Sequence, residues 1–143
     1  MRHLAEAPEA NVADPNFLQE IHRAFYSHLP PEHLFTHTGD GFTDFPVLPG
    51  QLRDHFVGVG RGDTLGPAPE DVPSAMNVFN QAYDPENYHG DERLIAMAAS
   101  HHRLAWIHPF RDGNGRTCRL FSGLMNYHAY AGIGVVSCFS GTA

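Results

Sequence analysis

A chain of 143 residues with a formal net charge of −7 is long enough for one domain around one core, and too acidic for sequence-independent nucleic-acid binding, which needs cations clustered against phosphate. Its 42% hydrophobic and 17% charged residues are the proportions of a globular protein rather than a disordered one, and no apolar run approaches the ~18–20 residues of a membrane span. Neither nucleic acid nor a membrane is therefore an expected partner. Two cysteines, Cys118 and Cys138, are too few for a disulfide framework and point to a reducing compartment.

Residues 1–13 are polar, lack the apolar stretch of a secretory signal, and read as a flexible N-terminal segment ahead of a single domain over 14–143. Asp14-Pro15 is a helix-start signal, and Phe17, Leu18, Ile21, Ala24 and Phe25 recur at helical spacing, which predicts a helix over 15–28 ended by Pro30-Pro31. Residues 36–50, rich in Gly, Thr, Asp and Pro, read as loop. Residues 52–59, with Phe56, Val57 and Val59 among flanking glycines, predict a short exposed strand or hairpin. After a Pro-rich connector, Val72, Met76, Val78, Phe79 and Ala82 predict a second helix with Pro73 in its first turn. Asp91 opens a third, in which Leu94, Ile95, Met97, Ala98, Ala99, Leu104, Ala105 and Ile107 cover so much of the circumference that it should be central and buried. Pro109 stops it. A fourth helix is expected over 116–130, with Leu120, Phe121, Leu124 and Met125 facing inward and Gly132 closing it. The fold class is mainly α with one small β element, and the end at Gly141-Thr142-Ala143 carries no closing element, as expected of a domain truncated at its C-terminus.

The chemistry concentrates between positions 108 and 119. A buried helix ends at His108, the glycine-flanked loop Gly113-Asn114-Gly115 follows, and a new helix begins behind it. Glycines let backbone N–H groups turn toward an anion, and the helix start adds unpaired N–H groups and a dipole of roughly +0.5 charge. Arg116 and Arg119, three apart, share one helical face and suit a polyphosphate. Asp112 is a lone carboxylate beside them, the usual way of holding Mg²⁺ against phosphate oxygens. His108 at the rim can take a proton from an attacking hydroxyl. A cradle, a metal ligand, counter-charges and a base are the parts of phosphoryl-type transfer. Eleven scattered histidines without HExxH or finger spacing do not add up to a separate metal site. Each of these residues alone would be a cap, a turn or a solvated face; together they are not.

The segment His108-Pro109-Phe110-Arg111-Asp112-Gly113-Asn114-Gly115-Arg116-Thr117-Cys118-Arg119 resembles the signature H-x-F-x-[D/E]-G-N-G-R-x-x-R of the Fic domain, of the Fic/Doc superfamily, at every specified position. Residues 49–59 look like that family's flap and 67–83 like the proline-led helix after it, so that the likeness runs over roughly 15–140. The resemblance implies a Fic-type helical bundle with a small β-hairpin flap, and an adenylyltransferase that moves AMP from Mg-ATP to a Ser, Thr or Tyr hydroxyl of a target protein. In that scheme His108 is the base and Asp112 holds Mg²⁺. Gly113, Asn114 and Gly115 form the anion hole, Asn114 also orienting the α-phosphate. Arg116 and Arg119 hold the β- and γ-phosphates, Phe110 anchors the loop, and the flap, with Leu52, Phe56 and Val57, takes an extended target segment as an added strand. Transfer of UMP, Doc-like phosphorylation and a non-catalytic nucleotide- or antitoxin-binding module are the alternatives; the intact Gly-Asn-Gly-Arg favours AMP, and the intact His108 and Asp112 disfavour a mere binding module.

The inhibitory [S/T]-x-x-x-E-[G/N] helix of many members has no good match. Thr36-His37-Thr38-Gly39-Asp40-Gly41 has Asp for Glu and glycines unsuited to a helix, and reads as coincidence. Inhibition would then come from a separate antitoxin-like protein, from a C-terminal segment outside this chain, or not at all. A bacterial cytoplasm, or delivery into a host cell as an effector, is the expected setting. Cys118 is expected to be buried rather than reactive. Asn126, Tyr127 and Tyr130 either line an adenine pocket or are ordinary surface and core residues.

Overall fold

Asp14 caps the first helix, α1 (Pro15–Tyr26), by accepting from the N–H groups of Asn16 (2.7 Å) and Phe17 (3.3 Å), and Pro15 supplies the pre-set φ of its first position. The chain is seen in a computed structural model that describes residues 11–37, 44–59 and 64–130. The helix buries Leu18, Ile21, His22 and Tyr26, a stripe at helical spacing. It starts where the sequence predicts and ends two residues sooner. Ahead of Asp14, Val12 and Ala13 are wholly buried, and Asn11 donates to Asn80 (2.9 Å) and Asp84 (3.0 Å), which ties this stretch to the second helix.

The stretch expected to be loop after α1 instead contains an antiparallel pair, β1 (Phe35–His37) with β2 (Asp44–Pro46), in register Phe35 to Pro46. Gly- and Pro-rich composition hid strands only three residues long. Within 52–59 only β3 (Gly58–Val59) is strand, paired antiparallel with β4 (Thr64–Leu65). The predicted hairpin is therefore present but displaced toward its C-terminal side, and 52–57 is irregular backbone.

Three further α-helices follow among the described residues: α2 (Val72–Tyr83), α3 (Glu92–Ile107) and α4 (Asn114–Tyr130). α3 packs on both α2 and α4, and α1 lies against α4. Val72, Met76 and Phe79 from α2, Leu104 and Ile107 from α3, and Cys118, Phe121 and Met125 from α4 meet Val12, Leu18 and Ile21 in one core. α3 is central in order but not buried all round. It turns Ala96, Ser100, Leu104 and Ile107 inward and leaves Leu94, Trp106 and Ile95 on the surface, Ile95 at 71% exposure. The apolar excess of its sequence thus overstated its burial. Gly132, expected to close α4, lies outside the described residues. Among the described residues no helix is long and apolar enough to cross a membrane.

Candidate active site

His108 sits where α3 ends. Its backbone is left-handed (φ 51°, ψ 58°), and its N–H still bonds to the Leu104 carbonyl at 3.1 Å. A left-handed residue of this kind ends a helix, and the following Pro109 cannot continue it. The ring's Nδ1 lies 3.1 Å from the Ala105 carbonyl. A carbonyl only accepts, so Nδ1 carries the hydrogen and Nε2 holds the free lone pair. Burial, and less strongly the Arg53 guanidinium, lower the proton affinity of His108, so the ring is neutral at neutral pH.

Behind the histidine the loop is held from α1. His22, 1% exposed, stacks on Phe110 (centroids 4.0 Å apart) and on Tyr26 (4.5 Å). Its Nε2–H donates to the Asp112 carbonyl (3.1 Å) and its Nδ1 accepts the Gly50 N–H (2.8 Å). Burial pushes its pKa down to about 4, so it is a neutral ring with both nitrogens used. One turn on, the Tyr26 hydroxyl donates to Asp112 Oδ2 (2.6 Å), and Arg116 Nη2 donates to both of them at 2.7 Å. The Arg116 guanidinium also lies over the rings of Phe25 (5.0 Å) and Tyr26 (5.2 Å), which fixes its plane. Burial alone would raise the pKa of Asp112, but the Tyr26 hydroxyl, the Gly113 N–H and Arg116 outweigh it and keep the carboxylate ionised. Burial and then that carboxylate push the Tyr26 phenol far up, so it stays a donor.

Gly113 precedes α4 with φ 77°, and its carbonyl accepts the first helical bond, from Thr117 N–H at 2.9 Å. A Cβ there would lie 2.5 Å from the Tyr26 ring, so the position is closed to side chains twice over, by conformation and by space. The N–H groups of Asn114, Gly115 and Arg116 make up the first turn and have no helical carbonyl four residues back. The resemblance has Asn114 orienting the α-phosphate; its side chain here is bonded to the loop itself. The side chain is 3% exposed, its Nδ2 donates to the Phe110 carbonyl (2.7 Å) and its Oδ1 accepts the Phe110 N–H (2.8 Å). Both ends of the amide brace the loop. Arg119 lies one turn along α4, exposed, with its Nη1 3.4 Å from where a Gly115 side chain would begin. Among the described residues no carboxylate pairs with it. Cys118 is buried beneath it, its thiol pushed up to about 11 by burial.

The flap residues do not behave alike. Leu52 packs on the core and is not free to meet a target, Val57 is half-buried, and Phe56 projects at 60% exposure. None of the three lies in a strand. Thr36 and His37 of the inhibitory look-alike lie on β1, not on a helix, and the other four residues of that motif lie outside the described residues. Asn126 and Tyr127 are exposed on α4.

Sequence reasoning missed His22, Tyr26 and Arg53. The first two had a signal: two polar aromatics at i, i+4 on the apolar stripe of α1, where a buried ring with hydrogen-bonding atoms needs partners. Arg53 had none beyond being a charge next to Leu52. Mg²⁺ fits the donor set as a metal that leans on substrate. Asp112 supplies one ionised carboxylate and, among the described residues, no three His, Cys, Asp or Glu side chains converge to hold a metal by themselves.

The profile of the Fic/DOC family matches residues 13–125. A protein adenylyltransferase Fic from Nematostella vectensis is 46% identical over 84 residues, 57% of this chain and 18% of that protein. One from Drosophila erecta is 37% identical over 123 residues, 86% of this chain and 20% of its own length. The chain thus spans about a fifth of these curated relatives. The crystal structure of a Fic family protein from Desulfovibrio desulfuricans superposes with a TM-score of 0.59 at 26% identity, covering 88% of this chain and 34% of that one. With the signature loop seated between α3 and α4, braced by α1, and with a β-hairpin ahead of α2, the chain belongs to the Fic/DOC family.

Proposed function

We propose that this chain transfers AMP from Mg-ATP to a hydroxyl of a target protein. The observation that carries the reading is the Nδ1–H···O bond from His108 to Ala105, because it leaves Nε2 as the basic nitrogen at the rim of the anion-binding helix start. The names of the animal relatives support the same activity. The polyphosphate lies over the N–H groups of Asn114, Gly115 and Arg116, with Arg116 and Arg119 as counter-charges. Asp112 would hold Mg²⁺, which would supply charge neutralisation at the phosphate oxygens. Nε2 of His108 takes the hydroxyl proton, the hydroxyl oxygen bonds to the α-phosphorus, and the bond to the β-phosphate oxygen breaks to release pyrophosphate. Asn114 serves by fixing the Phe110 backbone and so the loop.

The target docks as an extended segment beside the hairpin of β3 and β4, with Phe56 as an exposed apolar contact. An antitoxin-like protein would restrain the site by bringing an acid to Arg119, since that guanidinium meets none among the described residues. A bacterial setting belongs to the same reading, supported by the Desulfovibrio desulfuricans relative; the curated relatives named here are animal proteins. The test is to incubate the chain with a lysate and ATP labelled at the α- or the γ-phosphate. Protein-bound label from α alone is expected. Label from γ alone would mean phosphorylation, and label from neither would leave a binding module.

A further inference from the structure

Arg53 is a buried cation, 4% exposed, whose partners among the described residues are all backbone carbonyls. Its Nε donates to the carbonyl of His108 (2.8 Å), Nη1 to that of His55 (2.9 Å), and Nη2 to those of Pro67 (2.6 Å) and Ile107 (3.4 Å). Its own N–H reaches the Pro109 carbonyl at 2.9 Å. An arginine taken out of water without a carboxylate needs strong compensation. Here it comes from oxygens at the end of α3, where unpaired carbonyls and the negative end of the helix dipole gather. Three consecutive residues, Ile107, His108 and Pro109, are thus held by one side chain and its backbone, across the left-handed turn that aims the imidazole. The same guanidinium grips His55 ahead of β3 and Pro67 behind β4, the two feet of the hairpin.

We propose that Arg53 is the positioning residue for His108: it locks the left-handed turn that presents Nε2 and joins the feet of the target-docking hairpin to the base. The proposal rests on the reading of His108 as the general base. Two charged groups bear on the imidazole, Arg53 from the hairpin side and Asp112 from the loop, with opposite effects on its protonation. His55, the titratable neighbour, is turned to Asp54 (2.9 Å) and Arg111 (3.1 Å). Arg53 therefore opposes protonation of the base as well as fixing its place.

The test compares the whole chain with Arg53→Gln and Arg53→Lys, reading ATP affinity, AMP-transfer rate against pH, and the His108 imidazole titration by NMR. ATP affinity should stay within about twofold, because Arg53 touches no phosphate-binding group. The maximal rate of the Gln variant should fall by about 10–100-fold, the scale of loss when the partner that orients a metal-bound histidine is removed. The acid limb of its pH profile and the His108 titration should both move to higher pH. Lysine keeps the charge but cannot span the carbonyls, so the titration should stay in place while the rate falls. An unmoved His108 titration in a folded Gln variant would overturn the proposal. So would ATP affinity falling in step with the rate, or wild-type rates with lysine. The NMR arm needs no turnover, so a chain that transfers nothing refutes the activity and leaves Arg53 still testable; a Gln variant that does not fold leaves the lysine arm to decide.

Discussion

Acidification should loosen this protein through one histidine. His22 is enclosed, neutral and used at both nitrogens, with its pKa lowered from 6.5 to about 4 by burial. In the unfolded chain it protonates near 6.5, whereas in the folded chain a second ring proton would point at the Gly50 N–H. The unfolded state therefore binds more protons between those values. The stability His22 contributes is whole above about pH 6.5, and it drains as the pH falls toward 4. At roughly 1.4 kcal/mol for each tenfold change in proton affinity the drain amounts to about 3 kcal/mol, a large part of a small domain's margin. His22→Gln keeps a donor and an acceptor but cannot titrate. It forfeits two ring stacks, so it should be about 1–3 kcal/mol less stable than wild type at pH 7.5. Urea unfolding at half-unit steps from pH 7.5 to 4.5 should show that deficit closing, because the two proteins differ at no other titratable group. Two stability curves running parallel down to pH 4.5 would refute the assignment of the acid sensitivity to His22.

His108→Ala should cut transfer by about 10²–10⁴-fold in a labelled-ATP assay while leaving ATP affinity nearly unchanged, since the ring serves as base and not as cradle. Asp112→Ala should abolish the Mg²⁺ dependence of ATP binding measured by calorimetry, and should also free Tyr26 and Arg116 from their shared carboxylate. Arg119→Ala should lower AMP transfer yet still bind ADP, which lacks the γ-phosphate, whereas Asp40→Gly should change neither. Gly113→Ala should destabilise the domain by more than about 1 kcal/mol in thermal unfolding, because the added methyl meets the Tyr26 ring in a backbone conformation that already disfavours it.

The helices were legible because their apolar residues recur at the helical period and their starts carry Asp-Pro or Pro signals, as at Asp14-Pro15 and around Pro73. The signature was legible because its residues are contiguous and can be read as one group without knowing the fold. What lay beyond the sequence were contacts made across it. His22 meets Gly50 and Asp112 through separations of 28 and 90 residues, and no local pattern encodes such a meeting. The short strands were misplaced for a related reason: two or three residues give a period-2 alternation nothing to repeat over. The two bonds from the Asn114 amide to the Phe110 backbone lay beyond the sequence as well, because only the closed loop brings those groups together.

The bond from His22 to the Asp112 carbonyl has an implication for how separable the motif is from its host. The twelve residues from His108 to Arg119 carry all the recognisable letters, but the shape of their loop is imposed by α1, made some 90 residues earlier during synthesis. A ribosome that has delivered α1 has made the mould, and one that stalls before Arg119 has made a mould with nothing cast in it. Transplanting the dodecamer onto another helical hairpin would carry the lettering without the stacked His22 and Tyr26 rings that give it form. A graft would have to bring α1 and the Gly50 turn along with it.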